Sequence, residues 1–184
     1  MSNFKGNFTV KRLVFTAMCI ALAFITDQIK LFHMPMGGSV KLFQMFFTAF
    51  IGLLFGPATG FAGATAYGIL DLLIDPYVIS IPQLICDYIL AYGSMGVSGF
   101  FADKKHGLIT GYLAAVVCRF IFVVLSGVVF FADYAPEEMN PFVYSVLYNG
   151  AYIGAEAVLT VIVLLIPAVS AALTKVKQMA NEGS

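Results

Sequence analysis

Residues 126–156 read SGVVFFADYAPEEMNPFVYSVLYNGAYIGAE, and this stretch decides how the chain is built. An apolar run ends in Phe130-Phe131, an acidic, proline-containing loop follows, and a second apolar run begins. That second run carries Tyr144, Tyr148, Asn149, Tyr152 and Glu156 near its start. Polar groups inside hydrocarbon are expensive, so an amide, a carboxylate and three phenols at the mouth of an apolar helix are expected to face a cavity.

Working outward, the 184 residues are 60% hydrophobic and 11% charged, with no tryptophan and zero net charge. Soluble domains carry about a quarter charged residues, so the composition is that of an integral membrane protein. Zero net charge argues against nucleic acid as a partner. Cys19, Cys86 and Cys118 all lie in apolar runs without metal-ligand or CxxC spacing, which favours buried thiols. The signatures of an ATP-binding phosphate loop are absent.

A spanning helix needs about 20 mainly apolar residues. The sequence predicts a single all-α membrane domain over 1–184, with six transmembrane helices near 11–29, 40–55, 57–75, 82–102, 107–131 and 142–172. Pro35 with Gly37-Gly38, Gly56-Pro57, Asp75-Pro76 and the run Asp103–Gly107 supply the breaks. Ala21-Leu-Ala23 resembles a signal-peptide cleavage site, but the apolar run continues past it, so an uncleaved first helix is expected. With both termini cytoplasmic, Lys5, Lys11, Arg12, Lys104, Lys105, Lys175 and Lys177 collect on one side, against Lys30 and Lys41 on the other. That asymmetry predicts cytoplasmic termini and an outward mouth at 131–144.

Within the spans, Asp87 stands out, because a lone carboxylate in a membrane helix costs on the order of 2.5–3.5 kcal/mol. With Gln83 one turn before it and Tyr88 beside it, a ligand contact is the expected role. Arg119 is expected to make an ion pair with Asp87, Asp71 or Glu156. Asp71 and Asp75 share a helical face and are read as interface and capping groups. Tyr144, Tyr148 and Tyr152 could be a headgroup-level aromatic belt, whereas Asn149 needs a partner such as the edge of a flat heterocycle. Ala17 and Ala21, Gly52 and Gly56, and Gly93, Gly96 and Gly99 form small-residue steps suited to close helix approach. His33 and His106 are single and in loops, and read as solvated. No metal or cofactor site is expected.

Three segments together, MPMGGSVKL at 34–42, IPQLICDYILAYGSMGVSG at 81–99, and SGVVFFADYAP followed by YSVLYNGAY at 126–152, carry a resemblance. Over about residues 17–165 the chain resembles the thiamine-specific substrate-binding subunits, or S components, of energy-coupling factor transporters. The resemblance implies a six-helix cell-membrane protein of a prokaryote, not an enzyme, that captures thiamine from outside. It further implies partnership with a transmembrane coupling subunit and two ATPase subunits. By the same resemblance Asp87 and Tyr88 contact the ligand, Tyr144 and Asn149 bind its pyrimidine side, and Phe131 stacks on it. Ala17 and Ala21 fall on the step that docks on the coupling subunit. Tyr148 and Gln83 complete the expected binding set. Two departures stand out: Val123 occupies the position where the family commonly has His, and the pocket tryptophans are missing. The competing readings are an S component for a thiamine precursor or another vitamin, a stand-alone secondary transporter, and a membrane-embedded enzyme.

Overall fold

The computed structural model describes residues 9–34 and 38–182. Lys5 and the Pro35-Gly37 part of the glycine loop lie outside the described residues. Helix α1 (Val10–Asp27) begins at Thr9, whose hydroxyl accepts the Arg12 N–H as an N-cap. It leads into a small antiparallel hairpin, β1 (Lys30–His33) and β2 (Ser39–Lys41), which alternation of residues this short did not announce. Phe43, at a left-handed φ of 62°, then turns the chain into α2 (Gln44–Phe55).

Helix α2 is the centre of the molecule. All of its twelve residues except Phe47 and Phe55 are buried. At about 1.5 Å per residue it is roughly 18 Å long, well short of a bilayer core. The expected span at 40–55 is therefore a short helix wrapped by its neighbours, because the hairpin takes its first residues.

Gly56, at φ 85° and ψ 177°, forms the single-residue link to α3 (Pro57–Ile74), a backbone shape essentially reserved for glycine. Helix α4 (Ile81–Phe101) is continuous but irregular, with a π-helical stretch at Ile85–Leu90 and a 3-10 stretch at Ser94–Phe101. Helices α5 (Gly107–Phe130) and α6 (Pro141–Leu164) follow. Among the described residues, α4, α5 and α6 are long and apolar enough to cross a membrane. The expected sixth span at 142–172 ends early. Pro167 cannot continue the ladder of α6, so a separate amphipathic helix, α7 (Pro167–Asn181), starts there.

Helices α2, α3 and α4 meet at glycine. A Cβ on Gly60 would lie 2.7 Å from the Gly52 Cα and 3.0 Å from the Gly96 Cα, and one on Gly99 would lie 2.3 Å from the Pro57 nitrogen. Backbone-to-backbone approach of this kind replaces the hydrophobic drive that lipid cannot supply. Tyr67, Met45, Ile51, Leu53, Met95 and Tyr112 fill the core around it. The result is a fixed frame for the cavity at the end where α4 and α6 begin.

Candidate functional site

A cavity of about 340 Å³ opens at that end of the bundle, between the hairpin, the α3–α4 loop, α4, α5 and α6. Gln83, Asp87, Tyr88, Phe131, Tyr144, Tyr148 and Asn149 all line it, although they come from three separate parts of the sequence. Val123 lines it as well.

Asp87 sits on the π-helical stretch, a geometry frequent at functional sites. Its Oδ2 accepts a 2.6 Å hydrogen bond from the Gln83 amide. Among the described residues no basic group lies within 4 Å of it. The other acids near the cavity are engaged. Asp75 pairs with Lys30 at 2.6 Å; Asp71 accepts the Tyr92 hydroxyl at 2.6 Å and lies 3.8 Å from Lys41; Glu156 accepts the Met45 N–H at 2.8 Å. Lys41 also forms an ion pair with Asp27, at the end of α1. Outside the membrane helices, the Asp75 carboxylate raises the Lys30 ammonium above its ordinary value, and Lys30 holds Asp75 below its own.

Two expectations are corrected here, for Arg119 and for Asp71. Among the described residues Arg119 makes no ion pair within 4 Å. Its guanidinium stacks 3.9 Å from the centre of the Tyr92 ring, whose hydroxyl donates to Asp71, and its Nη1 donates to Gln44 at 3.3 Å. Asp75 does cap an exposed helix end, but Asp71 is buried in the polar floor of the cavity. Gln83 is spoken for: its oxygen accepts the Ile79 N–H, and its nitrogen donates to the Tyr77 carbonyl and to Asp87. Its bond to the Asp87 carboxylate orients that group within the cavity. The Tyr88 hydroxyl likewise accepts the Tyr77 N–H at 2.7 Å and lies 3.3 Å from the Asp75 carbonyl. Asn149 is partnered within its own helix, donating to the Ser145 carbonyl and accepting from the Tyr152 hydroxyl.

The rings form two groups. Tyr77 stacks on Phe131, with 6.0 Å between centres and 20° between planes, and Tyr134 adjoins Phe131. Tyr144 stacks on Tyr148, which meets Tyr152 edge to face. The Tyr148 hydroxyl also accepts the Gly38 N–H, tying the hairpin to α6. Tyr77, Lys41 and Tyr92 line the cavity without having been singled out from sequence, whereas Glu156, expected to face a cavity as an acid within an apolar span, does line it. Ala17 and Ala21 lie far from the cavity, exposed on the outer face of α1 among Leu13, Val14, Met18 and Ile25.

An aromatic cavity holding a carboxylate, set in one end of a helical membrane bundle, defines a membrane protein for a small organic ligand. Residues 13–176 match the family model of the thiamine transporter protein (Thia_YuaJ), and the chain belongs to that family. The thiamine transporter ThiT of Bacillus subtilis (strain 168) is 31% identical over 169 residues, covering 83% of this chain and 88% of that protein. A solved structure of ThiT from Listeria monocytogenes shares the fold, with a TM-score of 0.74 at 21% identity, covering 95% of this chain and 99% of that one.

Proposed function

We propose that this protein is the substrate-capturing membrane subunit of an energy-coupling factor importer in a prokaryotic cell membrane, and that it takes thiamine from outside. The observation that carries this reading is Asp87: a carboxylate in a cavity lined by Tyr77, Phe131, Tyr144, Tyr148 and Tyr152, held by a neutral amide and with no basic group within 4 Å among the described residues. Thiamine offers a permanent thiazolium charge and an aminopyrimidine, so Asp87 would attract the cation or accept from the exocyclic amine. Ring faces add cation–π and stacking energy, about 0.5–2 kcal/mol each depending on desolvation. On binding, Asn149 would exchange its bond to Tyr152 or Ser145 for the pyrimidine edge.

The basic residues Lys104, Lys105, Lys175 and Lys177 favour cytoplasmic termini and an outward cavity. Energy would come from a coupling subunit and two ATPases, with the exposed Ala17 and Ala21 on α1 as the docking step. A pyrimidine or thiazole precursor is the second reading, favoured by the apolar Val123 in the lining and the absence of tryptophan.

Calorimetric titration of the detergent-purified protein tests both. One-to-one thiamine binding is expected, weakened roughly ten- to hundredfold by Asp87→Asn, the value of a hydrogen bond to a charged group. Asn149→Ala should weaken it up to about tenfold. Binding of a precursor in preference to thiamine selects the second reading, and thiamine binding unchanged by Asp87→Asn removes the first as built here.

A further inference from the structure

The helices run alternately up and down, so the α4–α5 turn, the end of α6 and the start of α7 gather at the end of the bundle away from the ring-lined cavity. They enclose a second cavity of about 410 Å³. Its lining is divided. Lys104, Lys105 and His106 come from the turn and Lys177 from α7, while Leu108 and Leu165 belong to the apolar part.

The charge there is unbalanced. Lys177 donates to the Ala102 carbonyl and lies 3.6 Å from Asp103, whose side chain is fully exposed. Lys104 sits 4.4 Å over the Phe101 ring, and Lys105 has no acid within 4 Å among the described residues. Three ammonium groups therefore meet one solvated carboxylate. Beside them Leu165 is 63% exposed. Helix α7 packs Leu173 and Val176 inward and leaves Thr174 and Lys175 outward, the pattern of a helix lying along a membrane surface. A soluble anion would satisfy the ammonium groups but leave the leucines wet. A molecule with a phosphodiester beside an acyl chain satisfies both, and basic pockets between membrane helices favour such headgroups.

We propose that this second cavity is a binding site for an anionic phospholipid, with the phosphodiester between Lys104, Lys105 and Lys177 and an acyl chain along Leu108 and Leu165. The proposal rests on the chain's being a membrane protein and not on its ligand. A site of this kind anchors the α4–α5 turn and α7 to one leaflet at a defined depth.

Native mass spectrometry of the full chain tests it, with equimolar phosphatidylglycerol and phosphatidylcholine added to the detergent-purified protein. Phosphatidylglycerol is expected to be retained in preference, and Lys104→Gln/Lys105→Gln should weaken its retention roughly thirtyfold, at about 1 kcal/mol per lysine. Lys105→Gln alone, which breaks no ion pair among the described residues, should give part of that loss. Lys175→Gln, on α7 but outside the cavity, should leave retention within about twofold. Thermal unfolding of every variant in phosphatidylcholine should match the parent, which separates lost binding from lost folding. Equal retention of the two lipids overturns the proposal. So does an equal loss in Lys175→Gln, which would mean a diffuse positive surface, or displacement of the lipid by millimolar inorganic phosphate, which would mean a soluble-anion site.

Discussion

Removing the Lys41 ammonium should damage the fold more than its place in a hairpin strand suggests. Its side chain is 14% exposed and bridges Asp27, 2% exposed, and Asp71, 10% exposed. Lys41→Met fills much the same volume but strands two acids. Breaking a buried pair by removing one partner costs about 3–5 kcal/mol, because the remaining charge stays desolvated. Asp71 keeps its bond from the Tyr92 hydroxyl, so the low end, about 3 kcal/mol, is expected, nearly all of it from Asp27. For a chain of this size each kcal/mol moves the midpoint by about 2–4 °C, so a fall of roughly 6–12 °C follows. Thermal unfolding followed by circular dichroism in detergent measures it. The companion variant Lys41→Met/Asp27→Asn removes the stranded charge and should recover at least half the loss. A single variant within about 2 °C of the parent, or a double variant no better than the single, would refute the assignment of a buried ion pair.

Other substitutions probe the frame and the cavity. Gln83→Leu frees Asp87 and the Tyr77 loop together, so thiamine affinity should fall about tenfold, at roughly 0.5–1.5 kcal/mol per lost hydrogen bond; unchanged affinity in a titration would show that Gln83 orients nothing. Gly68→Ala places a Cβ 2.0 Å from the Tyr88 carbonyl oxygen and should cost about 1–3 kcal/mol, whereas Gly154→Ala meets nothing within 4 Å and should stabilise its helix by roughly 0.5–1 kcal/mol. Opposite shifts in melting temperature are the expected result, and shifts of the same sign would contradict the packing. The Lys30–Asp75 pair is a surface contact worth about 0–1 kcal/mol. Because Asp75 is held low and Lys30 high, its contribution is present across neutral pH, is lost as pH falls through the depressed carboxylate value, and is lost as pH rises through the raised ammonium value. Lys30→Gln should therefore narrow the pH range of stability at its two edges and leave the middle unchanged within about 1 kcal/mol.

Proline and glycine punctuation made several helix ends legible in the sequence, since Gly56-Pro57 and Asp75-Pro76 each act within one residue. Other boundaries were not visible. The hairpin is only a few residues per strand, and hydropathy carried straight through Pro167 although the backbone could not. The polar binding candidates were legible because each was out of place in an apolar run, whereas Phe131 came only from the family resemblance. What each does there was less readable. Periodicity does not show that Gln83 has spent its amide on the Tyr77 loop, or that Tyr152 and Ser145 satisfy Asn149. Lys41 was counted only as a loop charge, because its partners Asp27 and Asp71 lie on different helices.

The π-helical stretch Ile85–Leu90 has a consequence for how such a chain can drift over generations. Helix α4 is indexed at both ends, by the Ser80 cap and the Gln83 bonds at its start and by the glycine crossing at Gly96 and Gly99. The wide turns between them hold more residues than an α-helix would. A lineage that lost one residue there would regain regular geometry but rotate the two ends against each other by about 100°, one residue's share of a turn. It would then keep the crossing or the orientation of Asp87, but not both. Substitutions in this segment are negotiable, and its length is not.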